Sequence, residues 1–245
     1  MMKGWIKKIF NPIREEKPAA GYNLWAGQYD NQPDNLILRL DEAIFNSFVQ
    51  AASPGYKAVA DMGCGTGRHW EKLLSFFPVR LAGFDVSKGM LSALLAKWPG
   101  AETYLLQDHR LPPSVYGQFD YLVSTLTLAH IPDMAAALAE WNKLLKPGAD
   151  LIITDYHPTA LQRDAKRTFS HKGKTIAVKS YVHSLEKLRQ VGKQLGWTEM
   201  RFTERVIDEQ VKEFYEKQHA GDLYRTYYGM PLIYGIHLKK AHAAT

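Results

Sequence analysis

Leu36, Leu40, Ile44, Phe45 and Phe48 recur at three- and four-residue intervals, so residues 34–52 are expected to form a helix with one apolar stripe. Beyond it the pattern changes. Short apolar runs near 57–61, 79–84, 102–106, 119–124 and 149–155 alternate with helix-like stretches at 67–76, 87–97 and 133–145. Runs apolar on every residue suit strands covered on both faces, and alternation at this spacing predicts βαβ units and a parallel sheet. Residues 156–180 break the rhythm. A helix is expected again over 184–195, ended by Gly196, and Trp197–Ile207 and Leu232–Leu238 read as the last two strands. Val211–Met230, with Phe214, Tyr215, Tyr224, Tyr227 and Tyr228, is read as a packed cover in preference to a recognition surface.

The first of those strands runs into Asp61-Met62-Gly63-Cys64-Gly65-Thr66-Gly67-Arg68. Three glycines at alternate positions after a buried strand mark a loop whose main chain must lie against a ligand. Eighteen residues beyond Gly67 the second strand ends in Asp85. A glycine loop after one strand and an acid after the next suit a nucleoside-bearing ligand. The phosphate loop of nucleotide hydrolases needs a lysine that these glycines lack. The dinucleotide pattern needs a third glycine where Arg68 or Trp70 stands.

What remains, D-x-G-x-G-x-G, resembles the first motif of the class I S-adenosylmethionine-dependent methyltransferases. Leu106-Gln107-Asp108 resembles the third motif of that family, and Phe119–Ser124 its fourth strand. Leu144-Leu145-Lys146-Pro147-Gly148-Ala149 resembles the turn into strand five, with Ala149 where a second glycine is usual. These motifs cover roughly residues 20 to 155 and are closest to the small-molecule, quinone-biosynthesis-like group. The resemblance implies an α/β, Rossmann-like, doubly wound seven-stranded sheet, mostly parallel with one antiparallel strand, with helices on both faces. It also implies an amino-terminal extension over 1–20, then one domain over 21–245 with a substrate-side insertion at about 156–182.

The cofactor implied is S-adenosyl-L-methionine, with S-adenosyl-L-homocysteine as product. Gly63, Gly65 and Gly67 are expected along its methionyl part, and Asp61, by resemblance, at its amino group. A carboxylate with two oxygens suits both ribose hydroxyls, which is the role expected of Asp85. Met90 is expected against the adenine, with Asp108 accepting from the adenine amino group and Gln107 beside it. Cys64, Val86 and Ser124 complete the expected contacts by their place in the motifs, Cys64 as a small packed residue. Tyr22, Trp25 and Tyr29 precede the domain where the family closes an aromatic segment over the cofactor, so their rings are expected near the sulfonium, or else as packing for the first helix.

Methyl transfer from a sulfonium is an in-line displacement that depends mainly on positioning, so neither a catalytic triad nor a metal is expected. Histidine is the natural proton acceptor near neutral pH. If the nucleophile is a hydroxyl, His130, after the fourth strand, ranks first as the catalytic residue that takes its proton, ahead of His157 and His183. A free amine needs none of them, and a structural role stands as the alternative for each.

Length and charge narrow the rest. At 245 residues the chain is long enough to bury a full core. Its single cysteine precludes an internal disulfide and suits a reducing, cytoplasmic setting. The net charge is +6, but no basic, aromatic-rich RNA-binding motif accompanies it, so no nucleic acid is expected. Part of the excess lies in Arg163, Lys166, Arg167, Lys172, Lys174 and Lys179, against Asp164. This cluster is either a solvated loop or an attractor for an acidic small molecule. Met2, Trp5, Ile6, Ile9 and Ile13 share a helical face, read as a docking or mobile extension in preference to membrane contact. The small organic acceptor is expected to be methylated at oxygen, nitrogen or activated carbon. RNA or protein methylation, and cofactor binding without turnover, stand as alternatives.

Overall fold

The computed structural model describes residues 13–32, 34–108 and 110–242. The amphipathic face expected at the amino terminus therefore lies, apart from Ile13, outside the described residues.

Seven strands form one sheet: β2 (Ala58–Met62), β3 (Arg80–Asp85), β4 (Glu102–Leu105), β5 (Phe119–Thr125), β6 (Leu145–Tyr156), β9 (Trp197–Val206) and β10 (Pro231–Lys240). Their spatial order is β4-β3-β2-β5-β6-β10-β9. Pairs from β4 to β6 are parallel, and β10 runs antiparallel to both of its neighbours, so it alone is reversed. Every residue of β2 is buried, as a strand with helices on both faces requires.

Each face has its own core. On one, α5 (Met134–Leu144) and α7 (Leu185–Gln194) lay Leu138, Trp141, Leu188 and Val191 against Leu122, Leu151 and Ile236. On the other, α2 (Leu36–Ala52), α3 (Trp70–Leu74) and α4 (Lys88–Lys97) bring Phe45, Phe48, Trp70 and Leu94 against Val59, Val123 and Ile152. The expected stripe of α2 is the buried one, and Asn35 caps it by accepting from Leu38 N–H.

The structure corrects the expected helix at 67–76. Gly63, Gly65 and Gly67 all have positive φ, which holds the chain in a loop as far as His69, so α3 has only five residues. The expected boundary at residue 20 falls inside α1 (Pro18–Trp25). Ahead of it, β1 (Arg14–Glu16) pairs in parallel with β8 (Lys174–Val178), which forms a hairpin with β7 (Arg167–His171). The extension and the substrate-side insertion thus share a three-stranded sheet. The aromatic segment after β9 folds as α8 (Lys212–Lys217) and α9 (Gly221–Thr226), which pack with α6 (Pro158–Gln162) over Leu36 and Ile207.

Candidate active site

The sheet reverses its direction of growth between β2 and β5, and the crevice beyond the carboxyl ends of those strands is where open α/β sheets bind ligands. A cavity of about 400 Å3 opens there, within the ~300–1,000 Å3 usual for small-molecule sites. Its wall includes Tyr22, Tyr29, Gly63, Gly65, Asp85, Val86, Met90, Gln107, Asp108 and His130. Ten of the residues expected from sequence are therefore brought together. Asp61, Cys64, Gly67, Ser124 and Trp25 are not on the wall. Trp25 is buried and stacks on Phe169 with ring centres 4.6 Å apart, the packing alternative. Asp61 is buried and accepts from the Trp70 indole N–H at 2.9 Å, and burial with the nearby Asp85 carboxylate pushes it up to about 7. Cys64 is buried, which raises its thiol far above the usual range. Ser124 is fully buried, and its hydroxyl has no hydrogen-bond partner among the described residues.

The glycines divide the work. A Cβ on Gly65 would meet no protein atom within 4 Å, so its bare main chain faces open cleft. A Cβ on Gly67 would stand 2.7 Å from Trp98, so that glycine lets the α4 side close on the loop. Asp85 ties the two strand ends together: one carboxylate oxygen accepts from Gly65 N–H and the other from Ser87 N–H, both at 2.8 Å. Each oxygen keeps a lone pair for another donor. Burial raises the Asp85 carboxyl, and these N–H bonds pull it back.

Helix α1 forms the roof. Asn23 Oδ1 accepts from the Ser87 hydroxyl and from Gly89 N–H, both at 2.8 Å, which clamps α1 to the start of α4. The Thr66 hydroxyl donates to Asp30 at 2.6 Å, joining the glycine loop to the segment after α1. On the underside of that roof the Tyr22 hydroxyl meets Nε2 of His130 at 2.9 Å. Nδ1 of His130 lies 2.8 Å from the Lys179 carbonyl. A carbonyl only accepts, so Nδ1 carries the proton and Nε2 accepts from Tyr22. Burial pushes His130 down to about 4, the Arg167 cation pushes the same way, and the ring is neutral.

His157 and His183 are not on the cleft wall. His157 accepts from Thr159 N–H through Nδ1, capping α6, and pairs with Glu204 at 2.9 Å. His183 donates to the Ile131 carbonyl at 2.8 Å. Sequence reasoning did not pick out Leu126, Thr127, Tyr181 or the Lys17–Ala19 segment, all on the wall. Leu126 carries φ +52, an uncommon backbone for a branched side chain, and its sequence gives no signal of this. Below the loop, Asp41 is wholly buried and accepts from Arg68, from His69 at 3.1 Å and from Thr154. Burial works to raise this carboxyl, but Arg68 and His69 hold it well below the usual range.

A family model described as a methyltransferase domain matches residues 60–153, the stretch that carries the glycine loop, Asp85 and His130. Among curated proteins, the malonyl-[acyl-carrier protein] O-methyltransferase of Hahella chejuensis is 29% identical over 143 residues, 57% of this chain and 50% of that protein. The chain spans half or less of the length of the first curated relatives it matches. Among solved structures, an S-adenosylmethionine-dependent methyltransferase of Mesorhizobium loti aligns with TM-score 0.60 and 17% identity over 79% of this chain and 96% of its own. The [4+2]-cyclase SpnF aligns with TM-score 0.63 and 16% identity over 95% of this chain and 99% of its own. Likeness at that identity establishes the shared fold.

Proposed function

We propose that this chain is a class I S-adenosylmethionine-dependent methyltransferase and that its main cleft transfers a methyl group to a small organic acceptor. The observation that carries the reading is the joined pair of Gly65, with open main chain, and Asp85, with one spare lone pair on each oxygen. A sugar with two neighbouring hydroxyls suits that carboxylate, and Met90, Val86 and Leu106 offer an apolar slot for a base, with Gln107 and Asp108 at its polar edge. When bound, S-adenosylmethionine supplies an activated methyl group whose departure leaves a neutral thioether.

This chain's residues have three tasks. The roof helix and the glycine loop, joined through Asn23 and Asp30, hold the reacting groups together in one cleft, where positioning removes much of the barrier. Tyr22 and Tyr29 present aromatic rings at the cleft wall, suited to a sulfonium cation. His130 stands behind Tyr22 as a neutral proton acceptor with a fixed tautomer. Its depressed basicity sets a limit: a full proton on His130 costs about 3 kcal/mol more than on a free imidazole. The dyad therefore suits a proton shared in the transition state, with Tyr22 oxygen accepting from an acceptor O–H or N–H and leaning its own proton toward Nε2.

The single, buried Cys64 suits a reducing cytoplasm. Among the described residues no helix is long and apolar enough to cross a membrane. Calorimetric titration with S-adenosylmethionine and S-adenosylhomocysteine tests the cofactor. A screen of small acids, phenols and amines for S-adenosylhomocysteine release tests turnover. Binding without release on any acceptor would leave a cofactor-binding module, and no binding of either compound would reject the reading.

A further inference from the structure

Arg167 opens the β7–β8 hairpin, yet it is only 3% exposed. Its guanidinium donates to the Tyr29 hydroxyl at 3.2 Å and lies 4.8 Å from the Trp25 ring centre and 5.5 Å from that of Tyr29. Nε is buried without a hydrogen-bond partner. Tyr22 and Tyr156 complete the surroundings, and among the described residues no carboxylate forms an ion pair with Arg167. Lys166, next in the chain, pairs with Asp164 instead, at 3.0 Å. A buried cation with only neutral neighbours is expensive, and an arriving anion relieves it.

Arg167 also lines a second cavity, of about 350 Å3, which shares no lining residue with the main cleft. Leu36, Ile37, Ala160, Phe214 and Leu232 give that cavity an apolar wall. Its exposed charges are one cation and one anion, Lys166 and Asp34, so the buried guanidinium sets its sign. Tyr29 belongs to the main cleft and accepts from Arg167, so one hydrogen bond joins a residue of one wall to a residue of the other.

We propose that the second cavity is the acceptor site and that it takes an organic carboxylate with an apolar body, its acid group seated on Arg167. This rests on the methyl-transfer reading for the name "acceptor". The methylated atom is then a different atom of the same molecule, one that reaches past Tyr29 into the main cleft. Carboxylate to guanidinium is a charge-assisted, often two-pronged contact, and arginine suits it better than lysine.

The test is titration calorimetry on the full chain with 3-phenylpropionate and its neutral amide, each with and without saturating S-adenosylhomocysteine. The acid should bind roughly tenfold more tightly than the amide, the size of one charge-assisted hydrogen bond. Arg167→Gln should bring that ratio close to one, and Arg167→Lys should keep part of it. Ala165→Phe, which narrows the cavity without touching the charge, should weaken acid and amide alike and spare S-adenosylhomocysteine. Equal binding of acid and amide, binding of neither, or a preference that survives Arg167→Gln would each overturn the proposal. Displacement of S-adenosylhomocysteine by the acid would overturn it too, since the anion would then sit in the main cleft. Failure of S-adenosylhomocysteine to bind at all would instead reject the methyl-transfer reading and leave the acid-to-amide ratio standing.

Discussion

The Tyr22 hydroxyl donates to Nε2 of His130 across 2.9 Å, joining the roof helix to the turn behind β5 over a sequence separation of 108 residues. The Lys179 carbonyl on the other ring nitrogen makes that direction obligatory. If the pair moves the acceptor's proton, Tyr22→Phe and His130→Ala should each lower kcat by roughly 100-fold and leave S-adenosylmethionine affinity nearly unchanged. Together they should cost little more than either alone, because they act as one unit. The acid limb of the rate profile should fall near the depressed His130 value of about 4, well below an ordinary histidine. Steady-state kinetics of the three variants across pH checks this; additive losses would separate the two residues.

Asp85 holds the loop and faces the cleft at once, so its replacement should have two readouts. Asp85→Ala leaves the Gly65 and Ser87 N–H groups without their acceptor and the proposed sugar hydroxyls without theirs. Each lost buried partner costs about 1–3 kcal/mol. S-adenosylhomocysteine affinity should drop roughly 100-fold with a measurable loss of thermal stability. Asp85→Asn keeps one acceptor oxygen and should fall between.

Gly65 and Gly67 both have positive φ, +54° and +75°, but different neighbours. Gly65→Ala meets no protein atom and costs only the left-handed backbone penalty, roughly 1–2 kcal/mol, while its methyl intrudes on the cleft. Gly67→Ala adds a collision with Trp98 and tight contacts to Trp70 and Leu94. The first variant should stay folded and bind the cofactor poorly. The second should lose stability first. Melting curves beside calorimetry separate the two, and identical behaviour would remove the division of labour.

Asp41 sits in the buried stripe of α2 and anchors Arg68 and His69 beneath the loop. Removing one member of a buried ion pair costs about 3–5 kcal/mol. Asp41→Ala should therefore lower Tm by roughly 10 °C, at ~2–4 °C per kcal/mol for a chain of this size. A shift within experimental error would mean that the cluster relaxes freely.

What sequence reveals here is local. The strands, the glycine loop and Asp85 are legible because each is encoded within a few residues: an apolar run, alternate glycines, an acid at a strand end. The reversed β10 came with the family resemblance and not from its own apolar run. Asp41 was not legible. An acid within an apolar helical stripe looks like an interruption until Arg68 and Thr154, 27 and 113 residues away, are brought against it. Arg167 was misleading in the opposite sense, for it reads as one cation in a surface cluster and folds inward between Trp25 and Tyr29. The Tyr22 to His130 bond and the sheet shared by β1 and β8 depend equally on distant pairing, which no local pattern announces.

Asp61 gives a signature in pH. Buried beside Trp70 and near Asp85, its carboxyl holds a proton up to about 7, against an ordinary value of 3.8. Between those values the folded chain binds more protons here than the unfolded chain, so this residue's contribution to stability falls as pH rises. The slope is about 1.4 kcal/mol per pH unit for one whole proton. Asp61→Asn keeps an oxygen to accept from the Trp70 indole but cannot titrate. Urea unfolding at several pH values from about 4.5 to 7.5 should therefore show the variant gaining on the wild type as pH increases, with the curves parallel above it. Parallel curves throughout would mean that Asp61 is ionised in the folded chain, with its charge balanced by a partner other than Trp70.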